Sequence, residues 1–356
     1  MTALHEFLCP EVRPETRRLR DDPSLIHSYP RSALMVADFA ANHLTHLKVR
    51  NQRGLFSAPL DAPDLEDLLA PVTPKPSRSV ELIAQLRSHS AQWAVANMMD
   101  SSPFAPELYF GFDANILKYN RRRSVRSTVL WRLPGYYEPG PALGNSRRPP
   151  FEDAQDFLDK APLVRWRGGA NATAWPTPFA PDLLPLPLTQ ADLIAQAGAN
   201  PRAAAVLFSL RNPDISDLRF GISRKHWLRL GEAQPEPGII EKFVPAESLL
   251  DARYQLCLPG HDAPSQLYWV IATNSLAMVV ESEFEVIPDF FLKPWVHYVP
   301  VQRDLSDLRD KLAYCQDNPA LCLAIIDRAQ TAYRAICDPA LWAEAEGAVL
   351  DRLGWR

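Results

Sequence analysis

The 356-residue sequence has few cysteines, few glycines and little net charge. Its five cysteines are scattered and never form a CxxC pair, so a disulfide framework is excluded and reduced thiols are expected. The eight histidines are not spaced as ligands around those cysteines, so no zinc site is expected. A formal net charge of −4 gives no global attraction for nucleic acid, which makes a nucleic-acid partner improbable.

Long apolar runs are also missing. No stretch offers about 18 uninterrupted apolar residues, and the N-terminal segment MTALHEFLCPEVRPETRRLRDD lacks the apolar core of a secretory signal. We therefore expect a cytoplasmic protein. What is present is 47% hydrophobic residues, which is enough for two domains with their own cores, and 34 prolines that concentrate in connecting segments.

Before residue 150 the apolar spacing predicts a mixture of elements. Helical spacing occurs in SALMVADFAANHLTHLKVRN and in SRSVELIAQLRSHSAQWAV, whose serines are available as N-caps. Strands are predicted for ELYFGFDANI and STVLWRLPG. This half is the predicted first domain, 1–158, with a helical N-terminal extension.

From about residue 160 strands and helices alternate. The predicted strands are APLVRWRGG, YQLCLPG and LAMVVES, and the predicted helices are TQADLIAQAGANPRAAAVLFSLR and SQLYWVIATNS. This alternation indicates a parallel sheet with crossover helices. Because ligands bind beyond the carboxyl ends of such strands, we expect the turns at 168–169, 260–266 and 281–282 to converge on one crevice. Two further helices are predicted after residue 305.

The segment FFLKPWVHYVPVQRDLSDLRDKLAYCQDN, residues 290–318, resembles glycosyltransferase family 90. This family includes Rumi-type protein O-glucosyltransferases, fungal capsule-associated xylosyltransferases and bacterial lipopolysaccharide-modifying transferases. Similar segments are VRWRGG, NPDISDLRF and RYQLCLPGHDAPSQLYWVIATNS. The resemblance covers roughly residues 160–335 and is faint before them.

The resemblance implies an α/β, GT-B-like fold with two Rossmann-like lobes and a cleft between them. The second lobe, 159–338, would bind a nucleotide sugar, and a last helix within 339–356 would pack back on the first lobe. The implied activity is inverting and metal-independent, with a UDP-sugar as co-substrate and no cofactor. An enzyme of this kind neutralises the departing diphosphate with arginine, main-chain N–H groups and a helix N-terminus.

Donor-binding residues are predicted at the three strand ends, against the alternatives of a surface loop or ordinary capping. They are Arg167, Gly168, Gly169, Gly260, Ser265, Gln266, Glu281 and Ser282. The sequence departs from the family at Gln266, where many members have an arginine, and at Ala170 and Asn171. Either another arginine substitutes, or the choice of donor differs, or activity is reduced.

Inversion requires a general base that takes the proton of the acceptor hydroxyl. The family places an aspartate soon after a strand, late in the first domain. Asp113, in YFGFDANI, is the predicted base, and Asp100 is its nearest rival. A structural role as a turn or cap residue is the alternative for Asp113, and Asp217 is predicted to be structural.

Two other motifs leave alternatives open. The basic run KYNRRRSVRSTVLWR is read as a solvated loop or as a patch for an anionic acceptor, including peripheral contact with the inner membrane. In KPWVHYVP, Trp295 is expected in the core or at the rim of the cleft, and His297 as a packing residue.

The resemblance therefore implies a bacterial glycosyltransferase that moves glucose or xylose from a UDP-sugar to a glycan. A lipid-linked or lipopolysaccharide acceptor fits the expected location better than a secreted protein. The alternative is a catalytically degenerate relative that binds a nucleotide sugar or glycan as a partner or scaffold protein.

Overall fold

A computed structural model describes residues 2–29, 34–48, 54–98, 106–133, 153–170, 186–222, 227, 234–242, 244–260 and 263–356. The chain divides into two compact units. Unit 1 comprises Met1–Ser146, Glu283–Phe290 and Cys337–Arg356, and unit 2 comprises Arg147–Ser282 and Phe291–Ile336. Within the described residues, no helix is both long and apolar enough to span a bilayer.

The described strands are β1 (Leu34–Asp38), β2 (His43–Leu47), β3 (Leu55–Pro59), β4 (Trp93–Asn97), β5 (Ile116–Lys118), β6 (Asn120–Arg122), β7 (Thr128–Leu130), β8 (Ala161–Gly168), β9 (Ser216–Ile222), β10 (Ile240–Lys242), β11 (Ala252–Cys257), β12 (Leu276–Val280), β13 (Phe284–Val286) and β14 (Val299–Val301). The described α-helices are α1 (Thr2–Leu8), α2 (Arg17–Asp21), α3 (Leu65–Leu69), α4 (Pro76–Ser88), α5 (Glu107–Phe110), α6 (Gln190–Ala197), α7 (Pro201–Arg211), α8 (Leu267–Val270), α9 (Pro288–Phe291), α10 (Leu308–Asp317), α11 (Pro319–Ile336) and α12 (Pro339–Leu353).

Unit 1 contains a mixed sheet with the order β3-β2-β1-β4-β5-β7 among its described strands. Strand β1 pairs antiparallel with both β2 and β4, whereas β4, β5 and β7 run parallel. The second, two-stranded sheet pairs β6 with β13, which comes from far along the chain. Unit 1 is therefore an α/β unit with an antiparallel hairpin edge, and only its β4-β5-β7 half has Rossmann-like parallel pairing.

The helix predicted over SALMVADFAANHLTHLKVRN is wrong, because these residues form the β1-β2 hairpin. Leu34, Ala37, Leu44 and Leu47 do have helical spacing, but β1 is buried along nearly its whole length, so its apolar residues do not alternate. The chain reverses at Asn42, whose φ of 51° is left-handed, a conformation that asparagine tolerates better than most residues. The turn is rich in alanine, which favours helices, so the local sequence did not indicate a reversal of the chain.

The strand predicted over ELYFGFDANI is also wrong. Its first part is the single-turn helix α5, which ends at Gly111 with a left-handed φ of 69°, and β5 begins only at Ile116. The strand predicted at β7 is confirmed, and the helix predicted over SRSVELIAQLRSHSAQWAV is confirmed only as far as Ser88, because its last residues belong to β4. Helix α4 begins with Pro76 at its first position and has no side-chain N-cap, so the serine caps were not used.

Unit 2 has a six-stranded sheet with the order β10-β9-β8-β11-β12-β14 among its described strands. Every neighbouring pair is parallel. Numbered within the unit, this order is 3-2-1-4-5-6, which is the strand order of the Rossmann fold. The predicted α/β class is confirmed, and the predicted strands at β8, β11 and β12 are confirmed with it.

Helices α6, α7, α10 and α11 contribute side chains to the apolar core of unit 2. The helix predicted as one segment is divided into α6 and α7 by residues 198–200, of which Asn200 caps α7 through its side chain. The helix predicted over SQLYWVIATNS is reduced to the single turn α8. The two predicted C-terminal helices are present as α10 and α11.

Candidate functional site

The carboxyl ends of β8 and β11 lie side by side in unit 2. Tyr254 pairs with Val164 and Gln255 with Arg165, so the turns that follow Gly168 and Cys257 leave the sheet at neighbouring positions. From β8 the chain proceeds to β9 and β10 on one side and later to β11 on the other. This reversal of direction is the topological switch point, where open α/β sheets bind their ligands.

Arg202 joins the two turns. Its Nη1 donates to the carbonyl oxygen of Gly169 at 2.8 Å, and its Nε donates to that of Pro259 at 3.0 Å. The guanidinium carbon lies 5.7 Å from the centroid of the Trp166 ring. Arg202 is the second residue of α7, so the amino end of an eleven-residue helix lies at the same point. A guanidinium and a helix N-terminus both favour anions.

Both glycines of these turns lie directly against other side chains. A Cβ atom on Gly260 would lie 2.5 Å from Nη2 of Arg202, and one on Gly168 would lie 2.4 Å from the Trp166 ring. At neither position would the added carbon reach open space. The glycines therefore allow Arg202 and Trp166 to pack against the turns, and the side chain of Arg202 fills the space beside Gly260.

Arg167 points away from the turns and into an ion-pair network. Its Nη2 donates to Asp217 Oδ2 at 2.7 Å, its Nε donates to Glu241 Oε2 at 2.6 Å, and its side chain is only 9% exposed. Asp217 also lies within ion-pair distance of Arg165 and Arg219. Burial alone would raise the pKa of Asp217, but these three arginines hold it below its usual value.

This network crosses β8, β9 and β10 and links the three strands through side chains. Asp217 has the structural role that the sequence predicted. The donor contact predicted for Arg167 stays a prediction, and in the present geometry its guanidinium positions the strand that carries Gly168.

Ser265 and Gln266 lie just before α8, and the intervening residues 261–262 are outside the described residues. Gln266 is buried, and its Nε2 lies 3.5 Å from Oε1 of Gln255 on β11. Helix α8 has only four residues, so its N-terminal dipole is weak support for an anion. The predicted contacts of Ser265 and Gln266 with the donor stay predictions.

Glu281 and Ser282 follow β12 at the same edge of the sheet. The main-chain N–H of Glu281 donates to Val301 of β14 at 3.1 Å, and its side chain is exposed. Ser282 is half-buried. Since β11 and β12 are neighbours, the structure brings 168–169, 260 and 281–282 to one edge of the sheet. Their convergence on one crevice stays a prediction.

Asp113 occupies a structural junction of unit 1. It lies before β5, not after a strand, and so at the amino end of a parallel strand. Its Oδ1 accepts from the N–H of Ala114 at 2.9 Å, and Oδ2 lies 2.9 Å from Nε of Arg13. Its rival Asp100 lies outside the described residues, three positions beyond Asn97, where β4 ends.

The basic run after Asp113 is a solvated loop only in part, since Arg123 and Arg126 are exposed in the turn after β6 while other cations of the run are buried. Arg121 is buried in β6 and donates to Glu285 of β13 through Nε at 2.8 Å and Nη2 at 2.6 Å. Arg132 donates to the buried Glu346 of α12 through Nε at 2.5 Å and Nη2 at 2.8 Å. Lys118 is buried as well. These cations stabilise unit 1 from within.

The described residues of the two units contain no group of three or more histidine, cysteine or acidic side chains placed to hold a metal ion. The absence of a metal in the reaction stays a prediction, as do the absence of a cofactor and the cytoplasmic location. The sequence identified the glycine turns because they interrupt apolar strands. It missed Arg202, although the asparagine–proline helix start just before it was a readable signal.

The fold and site together define unit 2 as a Rossmann-like α/β unit with an anion-favouring switch point. Comparison with known families then identifies its relatives. Residues 199–335 match the family model described as Glycosyl transferase family 90. The resemblance to this family that was predicted from the KPWVHYVP segment is confirmed.

Two curated relatives carry more specific names. O-glucosyltransferase LpsA of Dichelobacter nodosus is 32% identical over 90 residues, covering 25% of this chain and 28% of that protein. Protein O-glucosyltransferase 3 of Mus musculus is 28% identical over 138 residues, covering 39% of this chain and 26% of that protein. The chain thus spans less than a third of the length of these two relatives.

Among solved structures, TarM is similar with a TM-score of 0.34 and 11% identity, covering 57% of this chain and 36% of the TarM chain. A score this low does not establish a shared fold.

Proposed function

We propose that this protein is a glycosyltransferase that moves a sugar from a UDP-sugar to a hydroxyl group of a glycan, with inversion and without a metal ion. The observation that carries the proposal is Arg202, which joins the two glycine turns at the switch point of the unit 2 sheet. A diphosphate bound there would meet a guanidinium and the amino end of α7. Both stabilise the charge that develops on the leaving nucleoside diphosphate.

Arg202 also offers a replacement for the arginine that this chain lacks at position 266. Many family members have an arginine at that position, and here the side chain is a buried, uncharged glutamine. We propose that Arg202 supplies the missing positive charge. The alternative is a relative that binds donor without transferring it, and the loss of charge at Gln266 is the observation that favours it.

Glucose is the proposed sugar, because both named relatives are O-glucosyltransferases, and xylose is the second choice. The acceptor is proposed to be a glycan of the lipopolysaccharide type or a lipid-linked glycan. The general base is proposed to be Asp100 in preference to Asp113, because β4 ends just before Asp100 while Asp113 lies at the amino end of β5 and beside Arg13.

The first test measures UDP and uridine binding by titration calorimetry. Arg202→Ala should weaken UDP binding by about 10-fold to 100-fold, since a hydrogen bond to a charged group contributes about 1.5–3 kcal/mol, and should leave uridine binding nearly unchanged. Arg211→Ala, at the exposed end of the same helix, is the matched control. Adding Gln266→Arg to Arg202→Ala should restore part of the affinity for UDP.

An equal loss of UDP and uridine binding in Arg202→Ala would show that Arg202 only clamps the turns. Failure of the unaltered protein to bind any nucleoside diphosphate would reject the donor site itself.

The second test separates transfer from binding. Hydrolysis of UDP-glucose should be lost in Asp100→Asn and retained in Asp113→Asn, with UDP affinity unchanged in both, because removal of a general base affects the chemical step. Loss of UDP-glucose hydrolysis in Asp113→Asn alone would instead identify Asp113 as the general base. If the unaltered protein binds UDP but does not hydrolyse UDP-glucose, the result would support the alternative, a relative that binds donor without transferring it.

A further inference from the structure

The segment Lys293–Tyr298 of unit 2 is a tight loop that displays Trp295. The N–H of Trp295 donates to the carbonyl oxygen of Tyr298 at 2.8 Å. The N–H of His297 donates to the carbonyl oxygen of Lys293 at 3.0 Å. His297 Nδ1 accepts from the N–H of Lys293 at 2.9 Å, so the histidine side chain closes the loop. Trp295 has a φ of 61°, a left-handed conformation that is rare for a large side chain.

This loop exposes aromatic and aliphatic surface. Trp295 is 41% exposed and Val296 39%, and Tyr314 of α10 is 49% exposed. The Trp295 and Tyr314 rings are perpendicular, with centroids 5.9 Å apart. Trp295 was expected in the core or at the rim of a cleft. The core is wrong, because the structure places Trp295 on the surface of unit 2, in contact with another exposed ring. A position at the rim of a cleft stays a prediction.

Cations surround the exposed rings. Lys293 is exposed, and Arg328 of α11 is exposed and has its Nη1 3.5 Å from the carbonyl oxygen of Val296. Lys311 lies 5.9 Å from the centroid of the Trp295 ring and is paired with Asp307. Burial lowers the pKa of His297, and the nearby charges of Arg328 and Lys293 lower it further. We call Lys293, Trp295, Val296, Tyr314 and Arg328 the Trp295 patch.

We propose that the Trp295 patch docks unit 2 on an anionic lipid surface. Tryptophan and tyrosine have an apolar body and a polar edge, and they are enriched at the level of lipid headgroups. Lysine and arginine beside them are attracted to anionic headgroups. Charge complementarity therefore selects this occupant: the two cations flank a small apolar surface that is exposed in this structure.

An anionic membrane fits this surface better than a soluble glycan. Sugar sites combine an aromatic ring with several side chains that accept hydrogen bonds from hydroxyl groups. Beside Trp295 the aliphatic Val296 adds apolar area, and the carboxylate of Asp307 is paired with Lys311. The patch does not depend on transferase activity, so its test needs no enzymatic reaction.

The experiment is co-sedimentation of the full-length protein with vesicles of phosphatidylcholine alone or mixed with phosphatidylglycerol. We expect binding to the mixed vesicles only. Lys293→Gln and Arg328→Gln should each weaken it about five-fold, and Trp295→Ala about ten-fold or more. Ile194→Ala and Leu158→Ala, which alter exposed aliphatic residues elsewhere in unit 2, are matched controls and should bind like the unaltered protein.

Trp295→Phe is a second control, because it keeps an aromatic side chain and should retain most of the vesicle binding. If Trp295→Ala loses binding and Trp295→Phe retains it, the loss comes from the missing ring. Unchanged binding in Trp295→Ala, equal binding to neutral vesicles, or no binding to either vesicle would overturn the proposal. So would Trp295-dependent binding to a soluble anionic polysaccharide, dextran sulfate, without binding to vesicles, because it would assign the patch to a glycan.

Discussion

Replacement of Lys160 by methionine should destabilise unit 2 by about 3–5 kcal/mol, because it would leave a buried carboxylate without its cation. The Lys160 side chain is fully buried, and its Nζ donates to both carboxylate oxygens of Asp153 at 2.9 and 2.8 Å. It also donates to the carbonyl oxygen of Leu250. Asp153 in turn accepts from the N–H of Asn274 at 2.7 Å, so the pair joins three separate segments of unit 2.

Urea denaturation followed by circular dichroism measures this effect. Arg309→Met removes an exposed cation that is 3.8 Å from Asp214, and it should cost less than about 1 kcal/mol. Adding Asp153→Asn to Lys160→Met should recover part of the loss, since no buried charge then remains. A loss for Lys160→Met no larger than that of Arg309→Met would show that the buried pair contributes little.

Acidification should destabilise unit 1 through His46. This side chain is fully buried in β2, its Nδ1 donates to the carbonyl oxygen of Leu47 at 3.0 Å, and Nε2 has no hydrogen-bond partner among the described residues. Burial lowers the pKa of His46 from 6.5 to about 4, and the bond to Leu47 opposes this only partly. Protonation in the folded state is therefore unfavourable.

The direction of the effect follows from the two pKa values. Above pH 6.5 His46 is neutral in both states and its contribution to stability is complete. Between pH 6.5 and 4 the unfolded chain takes up the proton first, so stability falls with pH, by about 3 kcal/mol once both states are protonated. Denaturation at pH 7.5, 5.5 and 4.5 should show this slope, which His46→Asn should reduce.

His43→Asn is the matched control, because His43 is the exposed first residue of the same strand. Its stability should follow the unaltered protein at each pH. If His46→Asn loses stability on acidification as steeply as the unaltered protein, other groups cause the effect.

The sequence predicted unit 2 better than unit 1 for a physical reason. Strands β8, β11 and β12 are short segments with apolar residues that are followed by glycine or polar turns, and such endings are local signals. Strands β1 and β2 lie inside the sheet and are buried along nearly their whole length, so their apolar residues do not alternate and the spacing matches a helix by coincidence. Tertiary contacts determine the secondary structure of that segment, and its local sequence did not reveal those contacts.

The candidate site likewise contains features that the local sequence predicts and features that only tertiary contacts determine. The turns at Gly168 and Gly260 could be predicted because they follow strands directly. The conformation of Arg167 could not, since its partners Asp217 and Glu241 are about 50 and 74 positions away along the chain and meet it only when β9 and β10 pair. The bridging role of Arg202 likewise depends on two carbonyl groups whose proximity is a property of strand order.

The assembly of unit 1 from three stretches of chain sets an order for biosynthesis. Arg121 and Arg132 leave the ribosome 164 and 214 residues ahead of their acidic partners Glu285 and Glu346. Until those carboxylates emerge, the two guanidiniums have no such counter-ions and their burial is unfavourable. Unit 2 lacks this dependence on the last twenty residues, so it can mature first on the nascent polypeptide, and removing the C-terminal segment would leave unit 1 incomplete.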